Sequence, residues 1–287
     1  MTYPSTQQKM ALRVISEAAY GSVKISSLDQ NRISADRLML NGVLWVLCSG
    51  AAWRDIPERF GPWATVYQRF RDWRNCGKFD QMLKRLHIRL NEQGLIDLDL
   101  DDRFHGGTRN PGLFWCWEKK GPEEPQDHAL GRSRGGLTTK IHMLCDANGV
   151  PLNFLLSSGQ ASDITYAQPL LDNAYIPSLR GCPRKRCRWL LADKGYDAEA
   201  LRRYCDRYRM QPVIPLRTMK RKPKPGLPRL FDRPKYRQRN IIERMFGWLK
   251  ENRRIVTRFD KLAKSYAAMV SLACAMRCLR QYFSYSA

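Results

Sequence analysis

Residues 137–159 read LTTKIHMLCDANGVPLNFLLSSG, two apolar, β-rich runs joined by Ala147-Asn148-Gly149. An Asn-Gly pair tolerates the positive backbone angles of a tight turn, so the stretch predicts a hairpin of two antiparallel strands. Towards the C-terminus come a helical pattern, DITYAQPLLDNA (163–174), a buried-type run, CRWLLADKG (187–195), a second helical pattern, YDAEALRRYCDRYR (196–209), and a short strand, QPVIPL (211–216). This β-β-α-β-α-β order implies an α/β fold, a mixed sheet flanked by helices, with a first strand still to be found before residue 137. Two helices are expected to close the chain, residues 235–250 and roughly 261–283.

Towards the N-terminus, residues 35–93 carry apolar side chains at three- and four-residue spacing, broken at Gly50 and at Gly61-Pro62. They predict a small all-helical unit. Within it, WATVYQRFRDW (63–73) resembles the second helix of a helix-turn-helix, with Arg69, Arg71 and Arg74 available for phosphates or base edges. A helix with a basic solvated face explains the same residues.

Lys and Arg number 50 against 27 Asp and Glu, a net charge of +23, which calls for a polyanionic partner, nucleic acid first. A membrane is the weaker choice: no run of about 18 apolar residues exists, and the opening MTYPSTQQKMALRV has no signal-peptide core. The expected location is the cytoplasm, with the nucleoid. Nine cysteines form no CxxC pair, and the four histidines share no ligand spacing, so neither a zinc site nor a disulfide framework is expected. Cys274 and Cys278, one helical turn apart in an apolar segment, read as core. The Pro-rich cationic stretch TMKRKPKPGLPRL (218–230) is either a solvated linker or a DNA-backbone contact through Lys220, Arg221 and Lys222.

Two constellations carry chemistry. In KYRQRNIIERMFGWLK (235–250), about 100° per residue brings Tyr236, Arg239, Glu243 and Lys250 within a roughly 60° arc, with Ile242, Met245 and Leu249 broadly opposite. Such a helix packs on a core while showing an acid among cations to a cleft, although a salt-bridged surface helix would look alike. In WLLADKGYD, Asp193 ends an apolar strand, where sheet enzymes commonly place catalytic groups and where helix-capping aspartates also sit.

Taken together, these features resemble the ribonuclease-H-like fold of DDE transposases. The Tyr-x2-Arg-x3-Glu-x6-Lys spacing is similar to the signature of insertion-sequence transposases of the IS-four and IS-five type. LNGVLWVLCSGAAWRDIPERFGPWATVYQRFRDW, DHALGRSRGGLTTKIHMLCDANGVPL, LLADKGYDAEALR and RRIVTRFDKLA look like the IS-five family, over roughly residues 35–99 and 121–283. The resemblance implies two divalent cations, Mg2+ or Mn2+, held by three carboxylates. Asp193 maps to the second and Glu243 to the third. Arg239 and Lys250 would neutralise phosphate charge and Tyr236 would position the strand, with Arg253, Arg254, Lys220, Arg221 and Lys222 as further DNA contacts. Implied partners are double-stranded DNA, as terminal inverted repeats and target, and a second copy of the chain. The domain division is 1–93, helical and DNA-binding, and 94–287, catalytic.

One window departs from the family. Where a strand reading like WMIDST should supply the first carboxylate, LDDRFHGGTRNPGLFWCWEKK (100–120) has Gly106-Gly107, Pro111 and the aromatics Phe114, Trp115 and Trp117. Permitted codons shifted by one base yield WMIDSTAVRATRASSGAGKK, so two compensating frameshifts account for the window, and the gene's nucleotide sequence tests this. Ungapped, the expected acid falls at Phe104. Asp102, two residues earlier and about 6.6 Å displaced, is the candidate replacement as catalytic and metal-binding residue. The expectation is therefore a crippled transposase. The alternatives are a catalytically silent protein occupying transposon ends and a nuclease unrelated to transposition, which never joins the 3′ end it frees.

Overall fold

In the computed structural model the described residues are 27–97, 102–105, 109–111, 128–133, 136–177, 182–217 and 231–285, with the backbone path alone at 27–34, 102–105, 109–111, 133 and 285. Residues 1–26, Gly106-Gly107, the aromatics 114, 115 and 117, and Lys220, Arg221 and Lys222 lie outside them.

Among the described residues, three α-helices come first. Helix α1 (Ser27–Ser49) stops at Gly50, whose φ of +70° suits a residue without a Cβ. After Gly61 and Pro62, α2 (Trp63–Asn75) buries Val66 and Phe70, and Gly77 at φ +64° then turns the chain into α3 (Lys78–Glu92). Both expected breaks are present, and Gly77 adds a third.

The expected hairpin consists of β4 (Gly136–Cys145) and β5 (Pro151–Ser158), antiparallel from Thr139↔Ser158 to Cys145↔Pro151. Gly149 has φ +77°, and Asp146 braces the turn by accepting the backbone N–H of Asn148 (2.9 Å) and Val150 (2.7 Å). Helix α4 (Asp163–Asn173), β6 (Trp189–Ala192), α5 (Glu199–Arg207) and β7 (Gln211–Val213) follow in the expected order. β6 and β7 pair in parallel.

The first strand lies inside the aberrant window. β1 (Asp102–His105) runs antiparallel to β4 and parallel to β6, and β2 (Arg109–Pro111) and β3 (Gly131–Ser133) also pair with β4. The same residues of β4 that meet β1 meet β5, so the order across the sheet is β5-β4-β1-β6-β7. The local sequence at 102–105 is not strand-like. The slot between β4 and β6 nevertheless offers backbone partners on two sides, and that tertiary term outweighs propensity.

The first closing helix is split. Asp232 caps α6 (Arg233–Arg237), accepting the Lys235 N–H at 2.9 Å, and α7 (Asn240–Glu251) starts after Gln238-Arg239. Arg239 and Ile242 each bond back three residues, to Tyr236 and Arg239, so the path tightens there without turning away. α7 buries Ile242, Met245, Phe246 and Leu249, the face read from the periodicity with Phe246 added. Then come α8 (Arg253–Thr257) and α9 (Ala263–Tyr285), in which Cys274 and Cys278 are fully buried.

α9 lies along α3, with Ser271 donating to Asp80 at 2.7 Å, and one apolar core runs from Leu47 and Leu86 to Met143, Leu249 and Met269. His87 bonds the Pro151 carbonyl at 2.8 Å, and Arg254 reaches the Ala51 carbonyl at 3.1 Å. The helices at the two ends of the chain therefore form a common layer beside the sheet. Among the described residues no helix is long and apolar enough to cross a membrane.

Candidate functional site

β6 ends on the buried Leu190, Leu191 and Ala192, which leaves Asp193 at the rim of the sheet. Its Oδ1 accepts the Lys194 N–H at 2.7 Å and so caps the single 3-10 turn Lys194–Tyr196. Burial pushes the Tyr236 phenol up, the Arg239 guanidinium pulls it down and the nearby Asp193 carboxylate raises it again. Arg239 Nη2 in turn meets Glu243 Oε1 at 2.7 Å, with its guanidinium 5.6 Å from the Tyr236 ring centre. Tyr236, Arg239 and Glu243 are thus joined in one run of contacts, Asp193 lies close enough for its charge to act on the Tyr236 phenol, and α7 itself packs on β1. Lys250 is exposed about 10 Å further along α7.

The loop after Asp193 is clamped from below. Asp197, buried, receives Arg202 Nε and Nη2 on Oδ1 at 3.1 and 3.0 Å and the Arg217 N–H on Oδ2 at 2.7 Å. Arg217 also donates to the carbonyls of Lys194, at 3.0 Å, and Gly195, closing a ring around the 3-10 turn. On the other side, Lys140 Nζ bridges Asp163 Oδ1 (2.9 Å) and the Ala161 carbonyl (2.7 Å). His142 bonds Ser157 Oγ at 2.7 Å and stacks on Tyr166 at 4.6 Å. Burial, opposed by the pull of Asp163 and helped by the smaller effect of Lys140, leaves this imidazole at about 4, neutral at pH 7. The buried Tyr196 phenol is pushed well up, by burial and then by the charges of Asp163 and Asp193. None of the supporting residues Asp197, Arg202, Arg217, Lys140 or Asp163 was singled out from sequence; the five-residue step from Asp197 to Arg202 is the one local signal.

Other expected site residues fall elsewhere. In the parallel register Asp102 pairs with Leu190 and Phe104 with Ala192, so the backbone of Asp102 lies three residues, about 10 Å, short of the level of Asp193. Arg253 is exposed at the start of α8. Arg254 is buried instead of facing DNA: its guanidinium forks onto Asp260 at 2.9 and 3.0 Å, and Arg258 at φ +44° turns the chain so that the two meet. In α2, Arg69 pairs with Asp36 at 3.3 Å and Arg74 donates to Ser265 at 2.6 Å, while Arg71 is exposed.

Among the described residues no three His, Cys, Asp or Glu side chains gather as a metal cage. Asp193 and Glu243, the latter paired with Arg239, are carboxylates whose oxygens suit a divalent cation, and among the described residues no third acid joins them.

Residues 24–83 match the family model described as "Putative transposase of IS4/5 family", and residues 93–278 match "Transposase DDE domain". The chain is 36% identical over 165 residues, 57% of its length and 70% of the relative's, to a "Putative transposase for insertion sequence element IS402" of Burkholderia cepacia. It is 32% identical over 144 residues, 50% of its length and 100% of the relative's, to a "Putative transposase for insertion sequence element IS6501" of Brucella ovis. No solved structure matches.

Proposed function

Because the chain belongs to the IS4/IS5 family of DDE transposases, we propose that it binds the terminal inverted repeats of an insertion sequence and is built for metal-dependent strand cleavage and transfer. The observation that supports the reading is the run Tyr236, Arg239, Glu243, with the Asp193 charge acting on the Tyr236 phenol, although 50 positions separate the two acids of the family's motif. A sheet ordered β5-β4-β1-β6-β7, with β4 alone reversed against β1, β6 and β7 and paired to β5, supports a ribonuclease-H-like catalytic unit over 94–287. The helical unit of residues 1–93 is its DNA-reading partner, and joining two ends calls for two copies of the chain.

DDE enzymes use divalent metal, which supplies an activated nucleophile and charge neutralisation at the scissile phosphate. Asp193 and Glu243 would hold it, and Mg2+ or Mn2+ suits their oxygens. The remaining groups act on the DNA. Arg239, now paired with Glu243, would pass its guanidinium to a phosphate; Tyr236 would position the strand; exposed Lys250 and Arg253 extend the positive surface.

In this copy the first acid is the weak point. The register puts Phe104, rather than an acid, beside the end of β6, and Asp102 lies two residues, about 6.6 Å of strand, short of that place. Losing one ligand of a two-metal site costs several kcal/mol of transition-state stabilisation, enough to suppress turnover. The chain then acts as a silent occupant of transposon ends. Incubating the purified protein with Mg2+ or Mn2+ and duplexes from the DNA flanking its gene tests both halves. Salt-dependent binding without cutting is the expected result. Efficient cleavage refutes the loss of activity, and absence of binding refutes the transposase reading.

A further inference from the structure

We propose that the surface formed by residues 184–188 and the C-terminal end of α5 is a second contact for the backbone of duplex DNA, engaging phosphates several base pairs from the scissile bond. The inference rests on the transposase reading and extends it to residues that the motif does not contain.

Two stretches far apart in sequence build this surface. Arg184, Lys185 and Arg188 are exposed ahead of β6, and Arg207 and Arg209 are exposed where α5 ends. Arg186 ties them together, its guanidinium 3.8 Å from the Tyr208 ring centre and donating to the Tyr204 hydroxyl at 2.9 Å. The backbone is also held, because Ile176 and Arg184 exchange N–H and carbonyl at 2.8 and 3.1 Å, and Gln211 donates to the Arg188 carbonyl at 2.8 Å. The cations therefore sit on a fixed framework, and less ordering entropy is lost when a polyanion binds. Asp172 and Asp206 are the acids of this neighbourhood, and they leave a clear positive excess.

Continuity with the candidate site gives the partner its identity. Arg188 (5.8 Å) and Lys235 (3.9 Å) both lie over the Trp189 ring, and Lys235 precedes Tyr236, whose phenol feels the Asp193 charge. From Trp189 to Asp193 the strand covers about 13 Å. At 3.4 Å per base pair that is roughly four base pairs of duplex. A DNA whose scissile phosphate lies at Asp193 and Glu243 meets the basic surface if it continues past Lys235 in the direction of Trp189, over the buried residues of β6. Exposed lysines and arginines on an isolated helix face would be unremarkable; convergence of two segments in line with the two acids is what a DNA track requires. Phosphate contacts of this kind position the duplex and carry no sequence information.

The test is a triple variant, Lys185→Ala, Arg188→Ala, Arg207→Ala, compared with wild type by anisotropy of a labelled flanking-DNA duplex between about 50 and 200 mM salt. Three lost phosphate contacts lower the slope of log affinity against log salt by about 2.7, so over that range the variant loses about 40-fold less affinity than wild type. The charge-preserving variant Lys185→Arg, Arg188→Lys, Arg207→Lys keeps the wild-type slope, which separates lost contacts from lost fold. If wild type binds duplex and the alanine variant retains its slope, the second contact is overturned while the transposase reading stands. The second contact is equally overturned if the variant loses binding to polyglutamate alone, which would assign the surface to an acidic protein. If wild type shows no salt-dependent duplex binding, the transposase reading itself falls.

Discussion

Replacing Asp197 by alanine removes a carboxylate that is wholly buried and leaves the Arg202 guanidinium, whose side chain is 8% exposed, with the Ile214 carbonyl at 3.0 Å. It also frees the Arg217 N–H, so the clamp under the Asp193 loop loses its centre. Breaking a buried ion pair from one side costs about 3–5 kcal/mol, because the remaining charge stays desolvated. With roughly 2–4 °C of melting temperature per kcal/mol in a chain of this size, the expected fall is about 6 to 20 °C. Thermal and urea unfolding of wild type and Asp197→Ala measure it. Adding Arg202→Met to the variant removes the stranded charge and should restore at least about 1 kcal/mol, a coupling that a double-mutant cycle reads directly. A single-variant loss below about 1 kcal/mol, or strictly additive effects, would show that Asp197 does not organise the loop.

Three further outcomes are expected. Burial, against the opposing bonds from Val150, Asp97 and Asn148, pushes Asp146 up to about 7. The folded state thus keeps a proton that the unfolded chain releases near 3.8, and the stability Asp146 contributes is full below about pH 4 and lost as pH rises to about 7. His87 and His142, each lowered to about 4 chiefly by burial, act in the opposite sense between about 4 and 6.5, so the quantity to follow by urea unfolding is the difference between wild type and Asp146→Asn. It should shrink as pH rises through that window and level off above it; a constant difference contradicts the assignment. Gly50→Ala places a Cβ 2.9 Å from Arg253 Cβ at φ +70° and should cost about 1–3 kcal/mol by chemical denaturation, whereas an unchanged midpoint would mean the α1 stop is relaxed. Millimolar Mn2+ should raise the melting temperature of wild type more than that of Asp193→Asn or Glu243→Gln, and equal shifts in all three would place the ion elsewhere.

What could be read from the sequence follows the range of the forces involved. Helices α1 to α3 and the β4-β5 hairpin were legible because periodicity, Gly50, Gly61-Pro62 and Asn148-Gly149 act within a few residues. The face of α7 was legible for the same reason, and it brought Tyr236, Arg239 and Glu243 together despite the break at Gln238-Arg239. β1 was not, since residues 102–105 owe their strand to neighbours on β4 and β6. Nor was the Asp197, Arg202, Arg217 clamp, whose third member arrives from beyond β7. The burial of Arg254 is not legible either, because its charge is visible in the chain while its partner Asp260 depends on the turn at Arg258.

The seating of α9 against α3 has a consequence for how the molecule is made. During synthesis, α3 emerges from the ribosome long before the segment from Ala263 onward, so its apolar flank must wait for nearly the whole polypeptide to be translated. A premature stop codon upstream of Ala263 therefore yields more than a shortened chain: it releases a head with an unsheathed greasy stripe, a substrate for proteases and chaperones.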